Sequence, residues 1–342
     1  RPPATCSPAH ADEHVLSVTN GAAPRCSPVR TGEHLARNAA LDKAREYLSC
    51  NAGASPPEWI AALKDSYGKD RTFAVPILLN CAIAGLVPWG QIPRLPFELA
   101  VLPHVSYRLL RLHVVSYALP ALIAIGIALH HRNPTRNPLS RVARKLAEPG
   151  ALRRLEAIQP ASGGFLEATP LTSFVAMSLA SASRADHPVT QKCLDFIVRS
   201  ARPDGSWPID SDLSVWVTTN ALIALEATGA LSRINAERTR GWLFDQQHRN
   251  VHPYTRAAAG GWAWTHLPGG VPDADDTARA ILALERTAAR IDLAGCSPAR
   301  AGEHPAPAVS TALDWLLRLQ NSDGGWPTFC RGWGKLPFDR SS

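Results

Sequence analysis

Three carboxylates crowd into four positions at Asp273-Ala274-Asp275-Asp276, directly before an apolar run that starts at Thr277. Two tryptophans precede them in Gly260-Gly261-Trp262-Ala263-Trp264. Like charges this close cannot all ionise cheaply, so at least one carboxyl is pushed toward its protonated form. A protonated carboxyl beside indole faces can hand a proton to an electron-rich carbon, and the rings can then steady the cation that forms. An alkene is a poor base, so such an acid needs a water-excluded site and preset donors for its conjugate base. The competing account is structural, because Asp is favoured at helix N-caps and in the first helical turn. One capping Asp would satisfy that need, and three are a costly way to meet it.

The elements that must hold these residues read as helices joined by Gly-, Pro- and Trp-rich loops. Apolar residues recur at helical spacing over 41–48, 59–63 and 76–84. The second half carries a repeat. Its copies are Leu155…Ile158-Gln159…Gly163-Gly164-Phe165, then Phe196-Ile197…Asp204-Gly205-Ser206-Trp207, then Trp242-Leu243…Gln247…Gly260-Gly261-Trp262, and last Trp315-Leu316…Gln320…Gly324-Gly325-Trp326. Apolar helices over 172–179, 218–225 and 277–284 lie between the copies. Each unit is an outer helix, in most copies ending in Gln, a tight Gly turn, an aromatic and an inner helix. The Gln amide can tie down backbone groups freed at a neighbouring helix end while the Trp stacks in the same joint. Helical pairs repeated in this way close into an α/α toroid.

Hydrophobic residues make up 45% of the chain and charged ones 19%, and the Ala-rich runs favour helix over sheet. The 342 residues suffice for one large or two ordinary domains. A net charge of +7 suits an anionic surface. No Lys/Arg block interleaved with stacking aromatics reads as a nucleic-acid site, which ranks phospholipid above nucleic acid. Seven unpaired-looking cysteines predict a reducing compartment, and residues 1–40 show no signal peptide. The chain begins at Arg1 and its only methionine is Met177, which predicts a partial or processed product.

Two further features offer a choice of readings. Cys6-Ser7-Pro8…Glu13-His14 recurs at Cys26…His34 and at Cys296…His304. A Cys/Glu/His triplet invites a metal-site reading, whereas a copied low-complexity insertion in permissive loops is the simpler one. Residues 114–129 form an apolar run of about 16 residues with a central proline, short of the roughly 20 that span a bilayer. It is either a buried core helix or a segment lying in one leaflet, held by flanking Arg108, Arg111, Arg132, Arg136, Arg141, Arg144 and Lys145.

The repeated Gln…Gly-x-Trp units, the Asp-x-Asp-Asp motif and the upstream Gly-Gly-Trp-Ala-aromatic stretch resemble the squalene-hopene cyclase family of class II terpene and triterpene cyclases. The lead-in Val87-Pro88-Trp89…Ile92-Pro93…Leu95-Pro96-Phe97-Glu98 is similar to that family's N-terminal half. The resemblance runs from roughly residue 40 to 342. It implies an all-α fold, a terpenoid cyclase/prenyltransferase-like toroid with the second toroid incomplete. Residues 1–34 are then a low-complexity tail and 35–205 an N-terminal helical domain with a membrane-contacting segment at 114–129. Residues 206–342 begin the catalytic barrel, with a loop insertion near 294–308.

For chemistry, the resemblance makes Asp275 the general acid, with Asp273 and Asp276 as its hydrogen-bonding partners and proton store. Trp264 and Trp216 would face developing carbocations, and Tyr117 falls loosely where the family has a cavity tryptophan. No metal or cofactor is implied. The substrate would be squalene or a similar linear isoprenoid, met by a monotopic protein at the cytoplasmic face of a bacterial membrane, with monomer and homodimer both open. The alternatives are a diterpene-type cyclase acting on a prenyl diphosphate and a non-catalytic toroid that binds lipid.

Overall fold

A computed structural model of the protein describes residues 31–67, 71–102, 119–253, 255–293 and 306–329. Among them are eleven α-helices and no β-strand, only isolated bridges at Ala168–Asp210 and Trp262–Asp273. In chain order the helices are α1 Thr31–Ala52, α2 Pro56–Tyr67, α3 Arg71–Ile83, α4 Leu119–Arg132, α5 Pro138–Ile158 and α6 Thr169–Ser181. There follow α7 Pro188–Ser200, α8 Ser214–Ala227, α9 Ala236–Asp245, α10 Ala274–Leu293 and α11 Ala306–Leu319. The chain divides into two compact units, residues 1–55 and 56–342. The boundary expected between residues 205 and 206 therefore falls inside the second unit. The Thr169 N–H donates across it to the Ile209 carbonyl and the Ser211 N–H to the Glu167 carbonyl.

Local chemistry explains where the helices start. Asn137 accepts from the N–H groups of Leu139 and Ser140, with Pro138 at the first helical position of α5. His187 and Pro188 do the same for α7, and Asn235 accepts from Arg238 at the start of α9. Each cap satisfies donors that the first turn leaves orphaned. The helices then pair as inner and outer partners. Helix α6 packs on α4 and on its outer partner α7, and α10 packs on α8, α9 and α11. This is the helix-pair arrangement of an α/α toroid.

The repeat works as a set of like joints. The indole N–H of Trp207 donates to the Ile197 carbonyl, that of Trp262 to Leu243 and that of Trp326 to Leu316, each at 2.8 Å. Each indole thus pins its Gly turn to the outer helix before it. The Gln159 amide donates to the Gly163 carbonyl and onward to Val189 in the first turn of α7. Gln247 repeats this with Gly260 and with Ala308 in the first turn of α11. Between the two halves stands Glu167, fully buried at φ 51°, whose Oε1 accepts from the Ser162 hydroxyl and from the Gly269 N–H.

Residues 119–129 settle in the core. Ile123, Ala124, Ile125, Ile127 and Ala128 are 1% exposed or less. Gly126 lets the Phe97 ring approach so closely that an added Cβ would sit 2.7 Å from it. A helix buried all round has no face left to insert into a leaflet, so the expected membrane contact does not lie there; residues 114–118 are outside the described set. Several flanking cations are also used internally. Arg144 pairs with Glu98 at 3.1 Å and Arg132 donates to the Ser181 carbonyl. No described helix is long and apolar enough to cross a membrane. The Cys/Glu/His triplets lie outside the described residues, apart from the backbone of Glu33 and His34 in α1.

Trp262 has no exposed surface, so losing its indole N–H would strand the buried Leu243 carbonyl. Trp262→Phe should lower unfolding free energy by about 1–3 kcal/mol. Trp326→Phe, at a joint half open to water, should cost clearly less. Urea denaturation of the two variants checks the order, and equal losses would mean that the joints do not carry the load by burial.

Candidate active site

The Asp-x-Asp-Asp stretch is placed by a short antiparallel contact with the tryptophan motif. The Asp273 N–H donates to the Trp262 carbonyl at 3.0 Å. The Thr277 hydroxyl oxygen accepts from the Trp262 N–H at 2.9 Å. Gly261 fits here because an added Cβ would meet Pro272 and Trp315 at 3.0 Å. The Ala274 N–H reaches the Thr328 carbonyl, so the last repeat closes on the same place.

The three carboxylates part company at the start of α10. Asp273 is the N-cap: its Oδ1 accepts from the Asp276 N–H at 2.8 Å, and it is 2% exposed. Asp276, three residues on, turns to the same buried side at 4%. Asp275 points outward and is exposed. The capping account is therefore correct for Asp273, but it does not exhaust the cluster. Asp273 Oδ2 and Asp276 Oδ1 are buried without a hydrogen-bond partner among the described residues, and so is the Trp264 indole nitrogen. Orphaned buried polar atoms are rare in folded proteins, and three within one short stretch mark a site rather than a scaffold.

Electrostatics sharpen this. Burial, then the neighbouring Asp276 carboxyl, push Asp273 far above the ordinary carboxylate range; burial likewise raises Asp276, less strongly, with Arg279 opposing. The dipole at a helix N-terminus favours a carboxylate by only about 0.3–1 kcal/mol, so desolvation wins. The pair holds a proton at neutral pH.

The aromatic residues converge through the backbone. The carbonyl of Trp264 accepts from the N–H groups of both Val215 and Trp216, which brings the start of α8 to the tryptophan motif. Trp264 is partly buried and meets Phe329 edge-on, ring centres 6.2 Å apart. Trp216 is 41% exposed, with the Arg279 guanidinium 6.0 Å from its ring centre. Tyr117 lies outside the described residues. Sequence reasoning missed Thr277, Phe329, Asn220 and Arg279. Arg279 had a signal, since it follows Asp275 and Asp276 at helical spacing; Phe329 had none. Among the described residues no cluster of His, Cys, Asp and Glu could hold a metal ion.

Residues 213–336, which contain both tryptophan positions and the carboxylates, match the family profile of the squalene-hopene cyclase C-terminal domain. This segment is similar to the squalene-hopene cyclase family. The chain is 26% identical over 311 residues to the squalene hopane cyclase afumA of Aspergillus fumigatus, covering 72% of this chain and 40% of that protein. It is 25% identical to the enfumafungin synthase efuA of Hormonema carpetanum, over 75% of this chain and 24% of the synthase. A drimenyl diphosphate synthase of Streptantibioticus cattleyicolor is 31% identical over 188 residues, 52% of this chain and 31% of its own length. The chain thus spans 40% or less of each of these relatives.

Protonation of the buried carboxylates should be visible in stability. Asp273 rises to about 9 in the folded protein, whereas an unfolded Asp titrates near about 4. Between these values the folded state binds the extra proton, so this group makes stability fall as pH rises. Asp273→Asn removes the dependence. Its thermal unfolding should match the parent near pH 4 and exceed it by more than about 1.4 kcal/mol, a factor of ten in the folding equilibrium, at pH 8. Parallel pH curves for the two proteins would show that Asp273 is not held protonated.

Proposed function

We propose that this chain carries the proton-delivering site of a terpene cyclase, with squalene or a similar linear polyprene as substrate. The observation that carries the reading is the buried, proton-holding carboxyl pair Asp273–Asp276 at the helix start that also bears Asp275. In this reaction the carboxyl proton of Asp275 passes to a terminal alkene carbon. The π electron pair becomes the new C–H bond and leaves a cation on the neighbouring carbon. Successive alkenes then attack that cation, and loss of a proton or capture of water ends the sequence. The substrate lying over Asp275 excludes water from it, and Asp273 and Asp276 hold the proton that restores the acid. Trp264 and Trp216 offer π faces and no nucleophile to the cations.

A second reading is supported by the drimenyl diphosphate synthase relative, namely a prenyl diphosphate protonated at its far alkene by the same carboxylates. Purified protein incubated with squalene in detergent, and separately with farnesyl diphosphate, tests both. Cyclic hydrocarbon or its hydrated form by mass spectrometry is expected from squalene. Turnover of the diphosphate alone favours the second reading, and turnover of neither overturns both. Within whichever reaction occurs, Asp275→Asn should lower the rate at least about a hundredfold. Trp264→Leu keeps apolar bulk but loses about 2 kcal/mol of π stabilisation, roughly thirtyfold in rate, with prematurely quenched products and little change in KM. An active Asp275→Asn beside an inactive Asp273→Asn would move the acid to Asp273.

We also infer that the protein meets its substrate at an anionic membrane surface, such as the cytoplasmic face of a bacterial membrane. What supports this is helix α5, where Leu139, Val142 and Leu146 are 81%, 56% and 76% exposed along one stripe. Arg136, Arg141, Lys145 and Arg153 surround the stripe and are exposed too. Apolar insertion resists salt whereas charge attraction is screened. The protein should therefore sediment with phosphatidylglycerol vesicles even in high salt, and Leu139→Ser with Leu146→Ser should make binding salt-labile. A protein left in the supernatant at low salt would exclude this surface.

A further inference from the structure

One charged residue at the site has no place in the proton chemistry above. Arg279 sits one helical turn beyond the carboxylates, three residues after Asp276 and four after Asp275, the spacing that puts side chains on one helical face. It is half-buried. Its guanidinium donates to the Asn220 side-chain oxygen on α8. Asn220 donates in turn to the Trp216 carbonyl at 2.7 Å, and the guanidinium carbon lies 6.0 Å from the Trp216 ring centre. Two contacts thus tie one side chain of α10 to the segment of α8 that carries an aromatic of the site, and a third within α8 links Asn220 to that aromatic.

A fixed cation is an awkward neighbour for a reaction that makes cations, unless its charge is already balanced. Asp273, through side-chain hydrogen bonding, and Arg279, through its charge, favour an ionised Asp276, whereas burial and the like charge of Asp275 oppose it. Among the described residues, α8 contributes only the uncharged Asn220 and Trp216 here, and no ionisable group of α9 or α11 adds to the balance. Arg279 also occupies one face of the Trp216 indole, which leaves the opposite face for a second cation.

We propose that Arg279 is a positioning residue of this site. It clamps Trp216 through Asn220 and one ring face, and its charge stands one helical turn from Asp276 on the same helix. The catalytic meaning rests on the cyclase reading above, whereas the clamp and the charge near Asp276 belong to the folded chain alone. Lysine keeps the charge but lacks the planar fork that stacks and bonds at once. Glutamine keeps a donor for Asn220 but no charge. The two substitutions therefore separate the roles.

The test uses the full chain labelled with carboxyl-13C aspartate, with Asp276→Asn to assign the resonance. In Arg279→Gln the Asp276 titration midpoint should move up by about one pH unit, as expected on removing a facing cation, while Arg279→Lys should stay near the parent. Acrylamide quenching, with Trp216→Phe as the subtraction, should report a more accessible Trp216 in Arg279→Lys. Where turnover is detected, the acid limb of the pH–rate profile should follow the Asp276 midpoint in Arg279→Gln and return in Arg279→Lys. An unmoved Asp276 midpoint in Arg279→Gln, or an unchanged Trp216 in Arg279→Lys, overturns the proposal. Absence of turnover in the parent protein counts only against the cyclase reading, since the titration and the quenching need no substrate.

Discussion

The antiparallel contact between Trp262 and Asp273 governs more of this molecule than its size suggests. It seats the tryptophan motif directly on the start of α10, with the Thr277 hydroxyl binding the Trp262 N–H and Gly261 leaving no room for a side chain. Water is squeezed out between the two segments, and this takes Asp273 and Asp276 almost wholly out of solvent. A helix start ordinarily welcomes carboxylates as anions, and an exposed pair there would simply ionise. Because the dipole offers less than the cost of burying a charge, the same two residues here keep a proton. Move the tryptophan motif away by the width of a water molecule and the caps remain while the proton store disappears.

That contact can persist only because the surrounding joints are stiff. Three Gly turns are fastened to the helix before them by an indole N–H, and the turns at Gly163 and Gly260 are tied to a later outer helix by a Gln amide. The bonds are individually worth about 1 kcal/mol. Their value lies in repetition, since every joint fixes the entry angle of the next inner helix. The Trp262 joint belongs to this series and stands next to the carboxylates, so a repeat whose first task is packing also sets the dielectric of the site.

Much of this was legible in the sequence, and the division is physical. The Trp207 and Trp326 joints both close over 10 residues and Gln159 reaches a carbonyl 4 residues on, so these joints announce themselves by spacing, whereas the Trp262 joint closes over 19 and is recognised by residue type. The carboxylate cluster was equally plain. Which carboxylates face inward was not, because that depends on the phase of α10 against the Trp262 segment. Asp275, singled out by family resemblance, is the exposed one, and Asp273 and Asp276 are buried. Residues 119–129 posed another problem, and both readings stayed open: a helix buried on every side and one lying in a leaflet have the same composition. The distinction is made by partners, Phe97 against Gly126 and α6 alongside, which lie far away in sequence. Phe329 reaches Trp264 from the last repeat with no local pattern to foretell it.

The arrangement also resolves a conflict built into the proposed chemistry. Protonating an alkene calls for strong acid, whereas guiding the resulting cation calls for electron-rich surfaces that do not react with it. Free carboxylates around the cavity would serve the second need badly, because each could remove a proton or trap the cation. Keeping Asp273 neutral and buried removes one such anion, and burial raises Asp276 as well, so that the pair holds a proton. Of the three carboxyls of the motif only Asp275 faces outward, while Trp216 and Trp264 supply indoles. In the proposed chemistry the acid is then the exposed member of the motif, and its two buried neighbours hold a proton instead of offering free anions to the cation.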